Sequence, residues 1–136
     1  DIYNEPQNAF VADFIGESNI IGSTMVEDRL VDILGTRFVC VDEGFGNNQP
    51  VDVVIRPEDI VLTEPSKGII KGRVTSAIFK GVHYEMEVQA AGFEWLVHST
   101  VLKEPGTEVG IWVDPFNIQI MHKPESEDEE QEHYED

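Results

Sequence analysis

The sequence has little of three things: cysteine, basic residues and long apolar runs. Cys40 is the one cysteine in 136 residues, which excludes an internal disulfide and a cysteine-ligated zinc site and is typical of a reducing compartment. Nine Lys and Arg stand against 27 Asp and Glu, and the net charge of −18 argues against nucleic acid or an anionic membrane surface as the partner. No stretch approaches the roughly 18 apolar residues of a membrane span, and residues 1–16 do not resemble a signal peptide.

The sequence also has no recognisable catalytic motif. Neither glycine-rich stretch, 44–46 or 67–72, has the spacing of a P-loop or a dinucleotide fingerprint. Glu85 and Glu87 lie two residues apart on a predicted strand, where a solvated outer face explains them. Cys40 falls in a strand pattern that indicates a buried, inert thiol. The histidines show no ligand spacing: His83, His98, His122 and His133. We expect no catalytic residue, no cofactor site and no metal site in this chain.

The two ends of the chain differ from its middle. Residues 4–16 predict one short helix whose apolar stripe is formed by Phe10, Val11, Phe14 and Ile15 and which ends at Gly16. So short a helix is not stable alone in water, so the stripe is expected to dock on another part of the protein. Residues 124–136 hold eight carboxylates and no Lys or Arg, which predicts a disordered tail. Without this tail, residues 1–123 have a net charge of −10.

Between these ends, the hydrophobic pattern changes to a period of two. Val82, Tyr84 and Met86 begin an alternation that predicts a strand with one buried face, and the turn Ala91-Gly92 leads into a second strand as a hairpin. The predicted strands are 19–27, 36–41, 51–56, 67–79, 82–90, 93–98, 107–113 and 118–122. Short strands separated by Gly, Asn and Pro turns indicate an all-β domain, and we predict an OB-type Greek-key barrel with additional strands over residues 17–123.

Three stretches resemble a known family. Residues 1–16, DIYNEPQNAFVADFIG, resemble the segment that closes the nucleotide-binding domain of ABC importer ATPases, (E/D)-I-Y-x-x-P-x-N-x-F-V-A-x-F-I-G. Residues 54–60 resemble the R-P-E segment of the regulatory domain that follows it. Residues 72–84 and 110–115 are similar to two halves of the barrel unit called TOBE, and residues 116–121 with the acidic tail are most similar to the spermidine/putrescine import ATPases.

The resemblance implies a parent ATPase whose nucleotide-binding domain, with its ATP and Mg²⁺, precedes residue 1. Since residue 1 is Asp rather than Met, we interpret the sequence as a piece of such a chain, and we expect the piece alone to be inactive. The stripe Phe10, Val11, Phe14 and Ile15 would then dock on the nucleotide-binding domain. Implied partners are that domain, a second copy of the subunit, and indirectly the membrane permease, which places the protein at the cytoplasmic side of the cell membrane.

The resemblance also implies a twofold contact that holds two regulatory domains together. We expect it to involve two loops, Arg56-Pro57-Glu58 and Phe79-Lys80-Gly81, because hairpin ends project from a barrel while its strands stay packed. Two alternatives stay open. One is a barrel that senses a small ligand, such as a polyamine, a metal or an oxyanion, and the other is the same domain from a sugar, iron or phosphonate importer.

Overall fold

A computed structural model describes residues 17–123 of the chain. The predicted helix with its docking stripe (Phe10, Val11, Phe14 and Ile15) and the predicted acidic tail lie outside the described residues, so both stay predictions. Within residues 17–123, no helix is long and apolar enough to cross a membrane.

The described residues form β-strands and three short 3-10 turns, so the predicted all-β class is confirmed. The strands are β1 (Asn19–Glu27), β2 (Leu30–Ile33), β3 (Thr36–Val39), β4 (Gln49–Ile55), β5 (Ile60–Thr63), β6 (Ile70–Phe79), β7 (Tyr84–Ala90), β8 (Phe93–Ser99), β9 (Glu108–Val113) and β10 (Gln119–His122). The turns are Pro57–Asp59, Pro65–Lys67 and Pro115–Asn117. Each turn starts at a proline, whose fixed φ suits the first position of a helical turn.

The strands assemble into two antiparallel five-stranded sheets. The first sheet has the order β10-β4-β1-β2-β3 and the second has the order β5-β9-β6-β7-β8. The chain leaves the first sheet after β4, builds the whole second sheet, and returns to the first as β10. In the part of the chain that the structure describes, neither hydrogen-bonded ladder closes on itself into a barrel.

One hydrophobic core joins the inner faces of both sheets. The predicted alternation is confirmed over Met86, Val88 and Ala90, which are buried while the residues between them are not. Its start was wrong: Val82 precedes β7 and is 78% exposed, and Tyr84 is half-buried. The largest side chain in the core is Trp95 of β8, which is fully buried and donates its indole N–H to the carbonyl of Ala90 at 3.1 Å. The remaining large core side chains come from both sheets: Phe38, Met25, Ile33, Ile55, Met86, Ile111 and Ile118.

The predicted hairpin between β7 and β8 is also confirmed. Ala91 and Gly92 both have positive φ, 55° and 80°, as the two central residues of a type I′ turn require. This turn fixes the register of the two strands, which pairs Glu85 with His98 and Val88 with Trp95.

Asn19 connects the central strand of the first sheet to an edge strand of the second. Its side chain is 4% exposed and lies at the start of β1, beside the edge strand β8. Its amide Nδ2 donates to the carbonyl of Leu96 at 2.9 Å and to that of Ile55 at 3.2 Å, and its Oδ1 accepts from the Leu96 N–H at 2.7 Å. The side chain therefore pairs with Leu96 as the backbone of a further strand would, which satisfies polar groups at a sheet edge.

Candidate functional site

A groove lies at one end of the second sheet, where the turn after β4 meets the residues that follow β8. Its volume is about 840 Å³, and we call it the end groove. The lining residues are Glu17, Glu58, Ile60, Val61, Leu62, His83, His98, Ser99, Thr100, Val101 and Lys103. A pocket of this size, lined by apolar residues and a few charged ones, has the character of a binding site.

The first predicted contact loop forms one wall of the end groove. Arg56 is engaged within its own turn, with its Nε 3.1 Å from Asp59 Oδ2 and 3.7 Å from Glu58 Oε2. Pro57 is buried. Glu58 lines the end groove, and all three residues of the loop line a smaller depression of about 170 Å³ beside it, together with Glu17 and His98.

The second predicted contact loop is the turn between β6 and β7. Residues 78–83, which we call the hairpin tip, expose three apolar side chains: Ile78 at 55%, Phe79 at 58% and Val82 at 78%. The Lys80 N–H donates to the carbonyl of His83 at 2.8 Å, and Gly81 has a φ of 99°, which favours glycine. His83, at the end of the hairpin tip, lines the end groove, but the predicted contact residues Phe79, Lys80 and Gly81 do not. Of the six predicted contact residues, Glu58 is the one that lines this groove.

A stacked pair of histidines lines the end groove, and no motif in the sequence indicated a role for it. The rings of His83 and His98 are stacked with their centroids 4.3 Å apart. His98 Nε2 is buried and lies 3.3 Å from Glu85 Oε1, but the geometry is not that of a hydrogen bond. The signal that could have found this cluster is the turn Ala91-Gly92, because the register it fixes places Glu85 opposite His98.

Metal-ligating residues do not cluster in residues 17–123. No group of three or more His, Cys, Asp or Glu side chains there is arranged to hold a metal ion, and this includes the His83, His98 and Glu85 set. Chemically, the end groove offers apolar contacts, carboxylates and one ammonium group, which suits binding of a partner.

Cys40 is buried, 1% exposed, directly after β3. Burial raises the pKa of the Cys40 thiol, and a backbone hydrogen bond at Asp42 offsets part of that shift. Because only the thiolate reacts with alkylating reagents, we expect iodoacetamide to leave Cys40 unmodified in the native chain at pH 8 and to modify it fully in denaturant. Intact-mass analysis measures this, and rapid modification under native conditions would contradict the buried position.

Comparisons with known proteins agree with the motif-based resemblance. A profile of the TOBE domain family matches residues 53–121, about half of the chain. Among curated relatives, the spermidine/putrescine import ATP-binding protein PotA of Acetivibrio thermocellus is 61% identical over 127 residues, which is 93% of this chain and 36% of that protein. The protein of the same name from Desulfitobacterium hafniense is 56% identical over 90% of this chain and 35% of that protein. The chain thus spans about a third of the length of these relatives.

Among solved structures, the cytoplasmic molybdate-binding protein ModG with molybdate bound matches with a TM-score of 0.65. The match covers 77% of this chain and 96% of that one. At 18% sequence identity this likeness concerns the fold alone.

Proposed function

Because the chain belongs to the TOBE domain family, we propose that it is the C-terminal regulatory domain of the ATP-hydrolysing subunit of an ABC importer for spermidine and putrescine. The observation that carries this proposal is the 61% identity to a polyamine-import ATPase over nearly the whole chain, including residues outside the TOBE match. The subunit would lie at the cytoplasmic side of the membrane, held there by its permease.

In this proposal the chain contributes contacts and no catalytic residue. ATP and Mg²⁺ would bind to the preceding nucleotide-binding domain, to which residues 1–16 would connect residues 17–123 through Phe10, Val11, Phe14 and Ile15. Residues 17–123 would hold two subunits together through Arg56, Pro57, Glu58, Phe79, Lys80 and Gly81. Glu58 lines the end groove, and so does His83, whose carbonyl accepts a hydrogen bond from the Lys80 N–H. This proximity supports the assignment, because neighbouring loops could share one contact surface.

The OB-type architecture belongs to the same proposal. In the second sheet the edge strands β5 and β8 contact each other without pairing. In the first sheet, Asp42 follows β3 and its Oδ2 accepts from the N–H of Ile120 on β10, so a side chain joins the two edges. These contacts support a Greek-key closure of each sheet by side chains and packing.

The test is substrate uptake by cells that produce the full-length ATPase subunit or lack it. We expect loss of the subunit to abolish uptake of labelled spermidine and putrescine, because an ABC importer needs ATP hydrolysis to move its substrate. Uptake of a sugar, of iron and of a phosphonate serves as the control and should stay unchanged. Normal polyamine uptake together with loss of one of the other three substrates would overturn the polyamine assignment.

A further inference from the structure

We propose that His83, His98 and Glu85 form a pH-sensitive switch, which holds the hairpin tip against β8 at neutral pH and releases it as the pH falls from about 7.5 to about 5.5. The inference deepens the proposed function and rests on it in one respect, namely that the hairpin tip belongs to the contact between subunits. It adds a condition, the pH around the domain, on which the shape of that contact surface depends.

His98 has a buried nitrogen that lacks a hydrogen-bond partner. The His98 side chain is 14% exposed, and its Nε2 is the buried side-chain nitrogen or oxygen of residues 17–123 that makes no hydrogen bond. Glu85 Oε1 lies 3.3 Å from it, on the neighbouring strand β7. A buried polar atom left unpaired costs free energy, and a second protonation state of the ring can recover that cost.

Protonation of His98 supplies the missing partner. A neutral imidazole has one N–H, whereas the protonated ring donates from both nitrogens and carries a positive charge. The proton on Nε2 then lies beside the Glu85 carboxylate, which is 29% exposed, so water screens the attraction only in part. Since histidine is the side chain that ordinarily changes its charge between pH 5 and 8, acidification in this range turns the His98–Glu85 contact into an ion pair.

The stacking of the two histidines limits how many protons they hold together. The ring of His83 lies on that of His98, with the centroids 4.3 Å apart and 28° between the ring planes. A cation is attracted to the face of a neutral aromatic ring, so one proton on the pair is compatible with the stack. Two protonated rings at this separation repel each other. Because Glu85 stabilises the proton on His98, a further proton on His83 separates the rings.

Other charged groups approach the two rings from elements outside β7 and β8. They line the end groove or the depression beside it, or lie on the hairpin tip: Glu17, Arg56, Glu58, Lys80 and Lys103. Glu17, Glu58 and Lys80 are exposed, and Arg56 is paired with Asp59, so water and counter-ions screen most of these charges. Two carboxylates against three cations supply no net negative charge that would hold a second proton on the stack.

The His83 ring connects the hairpin tip to β8. The ladder between β6 and β7 ends at the pair Phe79–Tyr84, and beyond it the Lys80 N–H donates to the His83 carbonyl at 2.8 Å. Ile78, Phe79 and Val82 are each more than half exposed, so few buried contacts hold the tip in place. Loss of the histidine stack therefore frees the tip, while β6 and β7 remain paired.

Amide hydrogen exchange of the 136-residue chain, measured by NMR at pH 7.5 and pH 5.5, tests the switch. The protection factor compares the exchange rate of an amide with that of an unstructured peptide at the same pH, so the intrinsic effect of pH cancels. We expect the protection factor of the Lys80 amide to fall by about tenfold or more at pH 5.5. Amides of β7 and β8 that exchange slowly at pH 7.5 should keep their protection. Equal protection of Lys80 at both pH values, or an equal loss across β7 and β8, would overturn the proposal.

Three variants assign the effect to the histidine pair. His83→Phe keeps an aromatic ring on His98 but takes up no proton, so Lys80 should stay protected at pH 5.5. His122→Phe is the matched control: His122 lies on β10, with its ring centroid 4.7 Å from that of Phe45, and this variant should lose protection as the unmodified chain does.

Glu85→Gln removes the carboxylate beside His98, so the tip should be released only at a pH lower by at least about half a unit. The slow amides of β7 and β8 report whether each variant is folded, and Glu85 is on the partly exposed side of β7, so its replacement tests the switch even if His83→Phe does not fold. Release of the tip in a folded His83→Phe chain at the same pH as in the unmodified chain contradicts the proposal, as does an unmoved release in Glu85→Gln.

These outcomes are separable from a failure of the proposed function. If the protection of Lys80 is independent of pH while the full-length subunit still supports polyamine uptake, the switch is wrong and the function stands. If uptake reveals a different substrate while the tip opens in a way that depends on His83, the switch stands and the polyamine assignment is wrong.

Discussion

Gly110→Ala will lower the free energy of unfolding by at least about 3 kcal/mol, which is about 12 °C or more in midpoint temperature for a domain of this size. Gly110 lies on β9, where the turn Pro65–Lys67 and the residue Gly68 cross close to the strand. A Cβ at position 110 would lie 2.6 Å from the carbonyl oxygen of Glu64 and 2.7 Å from the backbone N of Gly68. Both are backbone atoms, so the turn itself would have to move.

Gly22→Ala is the matched control for this prediction. Gly22 also lies within a strand, β1, but a Cβ there would meet only the far end of the flexible Lys123 side chain, at 3.0 Å. We expect a change of less than about 1 kcal/mol, because Lys123 can shift and alanine restricts the unfolded chain. Thermal unfolding followed by circular dichroism measures both variants. Equal stability of the two would show that the approach of the turn to β9 is looser than described.

Asn19→Asp will cost at least about 3 kcal/mol at pH 7, because it replaces the amide group that donates to the Leu96 carbonyl by a buried negative charge. Nδ2 of Asn19 donates to the carbonyls of Leu96 and Ile55, and a carboxylate would repel both. Burial beside two carbonyl oxygens raises the pKa of the introduced carboxyl above its value in the unfolded chain. Its neutral form therefore favours the folded state, and the stability deficit relative to the unmodified chain should shrink as the pH falls from 7 to 5.

Asn47→Asp provides the same chemical change at an exposed position between β3 and β4. It should leave stability within about 0.5 kcal/mol of the unmodified chain at either pH. Urea denaturation at pH 7 and pH 5 measures all three proteins. If the deficit of Asn19→Asp is below 1 kcal/mol, or is the same at both pH values, the amide of Asn19 does not bridge the sheets as the structure places it.

Local signals in the sequence predicted the strands that have a long alternating pattern or that border a turn with a clear residue signature. The strand Tyr84–Ala90 and its hairpin were predicted because alternation and the Ala91-Gly92 turn agree. β2 and β5, which have four residues each, were missed. Before β2, the chain turns at Arg29 with a φ of 66°, and nothing in that residue type signals a turn.

The sequence did not predict the end groove, because the residues that line it are distant in sequence. The family resemblance implied a twofold contact, and its TOBE membership is confirmed. The two loops were assigned to that contact because hairpin ends project from a barrel, and this assignment stays a prediction. Glu58 and His83 both line the end groove because of how the second sheet assembles, which no local pattern predicts. His83 and His98 were set aside as scattered histidines, yet strand pairing brings them into contact. The register of two paired strands determines which distant residues come into contact. The sequence predicts that register only where the turn between the strands has been identified.

Because β10 is the last strand to be synthesised, the first sheet is completed only after the second sheet has been translated. β10 pairs with β4, and Lys123 forms an ion pair with Asp52, 71 residues earlier in the chain. When β1 to β4 leave the ribosome, the edge of β4 that β10 will cover is still open, and it stays open until the whole second sheet has been translated. An open strand edge is a template for pairing with other nascent chains. Translation rate and chaperone access during this interval therefore bear on how much of the protein reaches its native state.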